Sequence, residues 1–215
     1  MKSVEEFESK IRSLSNRARY DDACVLSRYF LRAYPDLVVA AYYEAVFTAE
    51  KTEGYSKAEN RMRYATAAKK LQRLLVRLRG VDSNLRNRIR NEYYWFSNQP
   101  YKQFLLGQEQ VRLGYQRANY SQGVGAIGVA KEYARKGKIG LAMRWAKRSE
   151  NAWKRFFKVD PNWYNSYLFY AQSVGLQGRT TEMNRAFRRA SQISGKSINW
   201  AIIQEFKEEI ESLVK

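Results

Sequence analysis

Residues 130–142 read Ala130-Lys131-Glu132-Tyr133-Ala134-Arg135-Lys136-Gly137-Lys138-Ile139-Gly140-Leu141-Ala142. Five of these positions return further along the chain: Ala130, Tyr133, Gly137, Ile139 and Ala142 are answered by Ala171, Val174, Gly178, Thr180 and Met183, each 41 residues on. Matches at one fixed offset mark an internal repeat. Apolar positions three or four residues apart on both sides of a glycine read as one helical hairpin with the glycine at its turn. The repeat decides the fold class before any local propensity is consulted.

The same pattern extends outward from this stretch. Residues 4–34 read as two helices, the first with the stripe Phe7, Ile11 and Leu14, the second opened by Asp21 and Asp22 and carrying Ala23, Leu26, Phe30 and Ala33. Tyr34-Pro35 ends it, because proline disfavours helix at the residue before it. Residues 37–79 give a helix around Tyr42, Val46 and Ala49, a break at Gly54, and a long helix from Ser56 to Arg79. Residues 82–118 supply a hairpin with its turn near Pro100. Residues 121–160 and 162–194 complete the series, the former with a long helix over 140–160. Residues 198–214 make a last helix with Trp200, Ile203, Phe206, Ile210 and Leu213 on one stripe, a cap for the final repeat. The expectation is an all-α chain of about five hairpins plus that cap, forming one domain over residues 1–215. Only three prolines stand in its way.

Composition agrees and adds a charge. Hydrophobic residues make up 45%, charged residues 28% and aromatics 14%, values of a folding chain and not of a disordered one. The formal net charge is +18, and it is unevenly placed. Residues 1–50 carry 7 basic and 8 acidic groups, while residues 51–150 carry 22 basic and 7 acidic. Such a field concentrates anions, whether nucleic acid, acidic protein or anionic lipid. One cysteine, Cys24, excludes an intramolecular disulfide and fits a reducing compartment. Met1 to Lys10 holds three glutamates and no apolar core, so it does not read as a signal peptide, and no apolar run reaches membrane-spanning length. A cytoplasmic location with no integral membrane segment is the expectation.

Three segments resemble the tetratricopeptide repeat superfamily. Tyr20, Ala23, Phe30, Ala33 and Pro35 look like the second helix of such a repeat; Gly54-Tyr55-Ser56-Lys57-Ala58 and the set Tyr167, Tyr170, Ala171, Gly178, Phe187 and Ala190 are similar. The resemblance implies an α-α superhelix in which the first helix of each pair lines a concave groove. Small residues (Ala23, Ala58, Ala142, Ala171) would then let helices approach, and Phe30, Tyr133 and Phe187 would fill the gaps between layers. It would place Lys131, Arg135, Asn165, Leu168, Phe169 and Gln172 on the groove. The family's lysine and asparagine clamp for a terminal carboxylate is not matched, because Glu8, Arg12 and Glu44 stand near those places.

Chemistry is scarce. No histidine is present, which removes the commonest general base and metal ligand together. Cys24 has no histidine to activate it. Gly123-Val124-Gly125-Ala126-Ile127-Gly128 matches GxGxxG, yet no strand precedes it, and Leu141, Ala142 and Met143 stand where a ribose-binding carboxylate belongs. Helix packing is the expected role of those glycines. Glu205, Glu208, Glu209 and Glu211 read as the solvated face of the last helix, and Lys69 to Arg79 as an amphipathic stretch used for packing between repeats.

The basic, aromatic middle is more suggestive. Arg86, Arg88 and Arg90 lie beside Tyr93, Tyr94, Trp95 and Phe96, a combination that suits phosphate and base contacts in single-stranded nucleic acid and carboxylates of acidic peptides alike. The sequence therefore supports a scaffold with no catalytic residue, metal or cofactor. It would bind an acidic or aromatic-containing peptide segment of another protein through Tyr43, Arg86, Arg90, Tyr94, Lys131, Arg135, Asn165 and Gln172. Sequence-tolerant binding of RNA or single-stranded DNA by the basic centre is the alternative, and the oligomeric state stays open.

Overall fold

A computed structural model describes residues 4–16, 19–50, 57–194 and 200–214. Among them are eleven helices and no strand: α1 Val4–Asn16, α2 Tyr20–Ala33, α3 Val38–Glu50, α4 Lys57–Leu75, α5 Ser83–Phe96, α6 Pro100–Arg112, α7 Ala118–Arg135, α8 Ile139–Phe156, α9 Tyr164–Gly175, α10 Thr180–Ser194 and α11 Trp200–Val214. They form two compact units, residues 1–98 and 99–215, with helices packed mainly on their neighbours in sequence, as in a helical repeat. No described helix is long and apolar enough to cross a membrane.

In the first unit α3 is the centre. Apart from Glu44, Thr48 and Glu50 its sequence is apolar, and so apolar a helix must be enclosed; α2, α4 and α5 all pack on it. Phe7 of α1 stacks on Phe30 of α2 at 4.4 Å, and Phe7 meets Tyr43 of α3 edge-on at 6.1 Å. Leu71, Leu74, Ile89 and Phe96 close the same core. The α3 carboxylate Glu44 lies among these apolar groups. Lys70 donates to it at 2.6 Å and Arg28 at 3.2 Å, so three helices are tied through one buried charge.

In the second unit the 41-residue period is visible in the backbone. Gly137 and Gly178 both adopt the left-handed conformation, with φ of 68° and 76°. After each, the next amide reaches back five residues: Lys138 N–H donates to the Tyr133 carbonyl at 2.9 Å, and Arg179 N–H to the Val174 carbonyl at 3.1 Å. This is the glycine-terminated helix end that satisfies orphan carbonyls where a Cβ would be strained. It turns α7 into α8 and α9 into α10. Ala130, Ala171, Ala142 and Met183 are buried in one core with Phe187 and Ala190.

Several boundaries differ from expectation. The long helices end earlier, α4 at Leu75 and α8 at Phe156, where turns at 74–77 and 156–160 replace the ladder. Residues 82–118 do form two helices breaking before Pro100, but the boundary between units falls in that break, and α6 packs on α7. The reason is glycine. A Cβ on Gly125 would meet the Phe104 backbone nitrogen at 2.3 Å, and one on Gly107 would meet the Gln122 nitrogen at 2.4 Å, so bare backbone is what lets α6 and α7 touch. The GxGxxG run lies inside α7 and serves packing, with Gly123 against Trp153 and Gly128 against Pro100. Ala58 is exposed and takes no part in close packing. The break at Gly54 and most of the similar segment 54–58 lie outside the described residues, as does the Trp200 side chain.

Candidate binding face on α7, α9 and α11

The eight residues singled out from the sequence divide four and four between the units. In the first unit, Tyr43 is buried, and its hydroxyl accepts a hydrogen bond from Arg88 at 2.8 Å. The Arg88 guanidinium also lies 4.9 Å and 5.2 Å from the ring centroids of Tyr42 and Tyr43. Burial of Tyr42 and the nearby Glu92 raise its phenol well above the ordinary value, so it stays protonated beside that cation. Arg86 is exposed and donates to the carbonyls of Leu78 and Val81, where it ties down the turn leading into α5. Asp82 caps that helix by accepting from the Leu85 amide at 3.0 Å. Arg90 and Tyr94 are half-buried, and Tyr94 packs against Tyr93. The groups around Tyr43 and Arg86 are thus occupied in holding the unit together.

The second unit is different. Lys131 and Arg135, one turn apart on α7, both point to Glu209 of α11: Lys131 Nζ donates to one carboxylate oxygen at 2.7 Å and Arg135 to the other at 2.8 Å. The Lys131 ammonium also lies 5.6 Å from the Phe206 ring centroid, one turn before Glu209. Burial lowers the Lys131 pKa, against the raising pull of Glu209. At Glu209, burial acts to raise the carboxyl, but the charges and hydrogen bonds of Lys131 and Arg135 outweigh it and hold the group below its usual range. Around this polar bridge, Ile203 and Ile210 of α11 enter the core, and Phe206 and Leu213 pack on it. A Cβ on Gly175 of α9 would stand 2.8 Å from Ile210, so α11 lies closely on α9 as well as on α7.

Gln172 occupies α9 one turn before Gly175. It is 1% exposed, and neither its amide nitrogen nor its amide oxygen has a hydrogen-bond partner. A buried, unpartnered amide costs about 1–3 kcal/mol, and an apolar side chain of the same shape would avoid that cost. Asn165 is half-buried at the start of the same helix. Leu168, expected on a groove surface, is in the core.

Glu209 is the residue that sequence reasoning placed in solvent. Its side chain is 30% exposed and holds two cations. One signal was available: Glu209 lies three residues after Phe206 and directly before Ile210, on the edge of the apolar stripe and not opposite it. The partners, 74 and 78 residues away, were not readable.

A second charged cluster went unread. Glu150 of α8 is fully buried, with Lys154, Lys147 and Arg179 at 2.6, 2.9 and 3.0 Å. Burial pushes its carboxyl up, but those cations and Gln177 bring it down to about 2. Arg179 also binds Glu182, which accepts from the Tyr170 hydroxyl, so α8, α9 and α10 share one polar junction. No grouping of three or more metal-ligating side chains occurs among the described residues. No protein-family model matches this chain, and no curated protein sequence matches it.

Proposed function

We propose that the chain is a non-enzymatic interaction scaffold, cytoplasmic and built on tetratricopeptide-like hairpins, that docks an acidic amphipathic segment of another protein on the α7–α9 face. The paired hairpins closed by the same glycine turn at Gly137 and Gly178 support the repeat reading. One observation carries the docking reading: Lys131 and Arg135 together hold a single carboxylate of a helix whose neighbouring side chains Phe206 and Ile210 are apolar. A face that accepts such a helix from its own chain has the chemistry to accept one from a partner.

On this reading α11 is the occupant of the face in the isolated chain, and a partner competes with it. The competition is uneven, because a tethered segment has an effective concentration in the millimolar range. Two terms favour exchange. A partner with a better apolar stripe gains dispersion and hydrophobic contact, and one that presents a peptide or amide group to Gln172 removes an unpaired polar burial.

The test uses a labelled peptide corresponding to residues 200–214, titrated into the full chain and followed by anisotropy. Glu209→Ala in the chain weakens its own α11 and is expected to tighten peptide binding about tenfold. Adding Arg135→Ala to that variant is expected to weaken the peptide by about 1–3 kcal/mol. Peptide binding that ignores both substitutions would refute the assignment.

A further inference from the structure

The outer side of α8 carries a stripe that no part of the docking reading uses. Arg144, Arg148, Asn151 and Arg155 follow one another at helical spacing and all are exposed. The opposite side of the same helix, with Ala142, Ala146, Ala152, Trp153 and Phe156, is buried. The stripe is therefore fixed in direction by the core beneath it. From Arg144 to Arg155 it spans about 16 Å along the axis.

Two of these arginines are held in place by uncharged groups. The Arg155 guanidinium donates to the Asn119 side-chain oxygen at 2.9 Å and to the Gln122 side-chain oxygen at 2.8 Å, both on α7. The Arg148 guanidinium lies 4.5 Å from the Trp145 ring centroid. Neither contact neutralises charge, and none of Arg144, Arg148 and Arg155 forms an ion pair among the described residues. Lys147 and Lys154 of the same helix, by contrast, are both engaged by Glu150. A guanidinium positioned by neutral partners keeps its full charge and loses little freedom when an anion arrives.

Aromatic surface lies at one end of the stripe. Trp145 meets Phe104 edge-on at 4.9 Å and Tyr101 at 6.0 Å, and Tyr101 is 54% exposed. Arginine forks beside an open ring are the parts that proteins use to hold a phosphate chain and stack its bases. In the arginine-rich stretch 86–96, Arg86 and Arg88 are also held by uncharged groups, but they stand two residues apart and so do not share one face of α5. Between Arg144 and Arg155 the stripe holds Asn151 and no apolar side chain, and the exposed Ile139, Leu141 and Met143 of α8 all precede it.

We infer that the outer face of α8 is a binding site for single-stranded nucleic acid, with Arg144, Arg148 and Arg155 on phosphates and Tyr101 as a stacking platform. The site is independent of the α7–α9 face and carries no sequence readout, because phosphate contacts position without specifying.

The experiment is anisotropy of a labelled oligouridine of about 20 nucleotides, longer than one such site, with the full chain at low and physiological salt. Three proteins are compared: the unaltered chain, the variant Arg144→Gln/Arg148→Gln/Arg155→Gln, and the control Arg185→Gln/Arg188→Gln/Arg189→Gln, which removes the same charge from exposed positions of α10. Each phosphate contact contributes about 0.7 to the slope of log K against log salt on a single strand, so the α8 variant should lose about two units of slope. The α10 variant should keep most of its slope. Tyr101→Ala should weaken binding about tenfold with the slope unchanged, the loss of one stacked base. Equal losses in both triple variants would show a diffuse field and overturn the site. So would absence of oligouridine binding at low salt, or anionic vesicles or polyglutamate displacing the oligonucleotide at lower charge concentration than unlabelled oligouridine.

Discussion

Two carboxylates in the second unit, Glu150 and Glu209, are each held by more than one cation, yet they do different things. Glu150 is wholly buried on α8, and its partners Lys147, Lys154 and Arg179 come from α8 itself and from the turn just before α10. Glu209 is partly exposed on α11, and its partners Lys131 and Arg135 both belong to α7. The first junction fastens repeat to repeat within consecutive elements. The second fastens the last helix across elements far back in the chain. The number of ion pairs therefore does not identify a site; what matters is whether the group bearing the charge could leave without dismantling the core.

The largest expected effect tests Glu150 as architecture. Glu150→Ala deletes a buried carboxylate that accepts charge-assisted hydrogen bonds from Lys147, Lys154 and Arg179, whose own side chains are partly exposed and return to water, so the cost is about 3 kcal/mol. Chemical denaturation should show that loss; a change below about 1 kcal/mol would put Glu150 in the same class as an exposed pair. Acid should act in the same direction with an effect of similar size. The Glu150 carboxyl is held at about 2 in the fold against 4.5 ordinarily, so its contribution is complete above about pH 4.5 and is lost as pH falls toward 2. The expected loss is on the order of 3 kcal/mol across that window. Glu209 and Glu182, also held low, add to the same trend. Denaturation midpoints measured from pH 5 to 2 would check the sign, and a Glu150→Gln chain should show a shallower fall.

A smaller effect is expected at the docking face. Gln172→Met keeps the side-chain shape and removes the two unpaired polar atoms, so it should stabilise the chain by about 1 kcal/mol. The same change should weaken a docked peptide that uses the amide. A stability gain without any loss of peptide binding would assign Gln172 to the core alone.

Much of the fold was legible because its signals are local. The offset of 41 residues depends on helix-period side chains and on a glycine whose backbone conformation most other residues avoid, and both Gly137 and Gly178 adopt it. The stripes Phe7, Ile11 and Leu14, and Ile203, Phe206, Ile210 and Leu213, read correctly from spacing alone. The family resemblance implied that Lys131, Arg135 and Gln172 share a face; Lys131 and Arg135 lie together against Glu209, whereas Gln172, like Tyr43, is buried, because a polar group on an apolar-flanked helix gives no sign of what lies over it.

Helical spacing and the turn glycines can be read without the fold, since each is set within a few turns, and the 41-residue offset and the excess of positive charge follow from comparing and counting residues along the chain. Which charges are neutralised depends on how the helices pack. Glu209 and Lys131 are 78 residues apart, Arg155 and Asn119 are 36 apart, and nothing in local spacing brings either pair together. Close packing of α8 on α7 and α9, and of α11 over α7 and α9, does so, and it is this long-range packing that leaves Arg144, Arg148 and Arg155 charged in solvent while it buries Glu150.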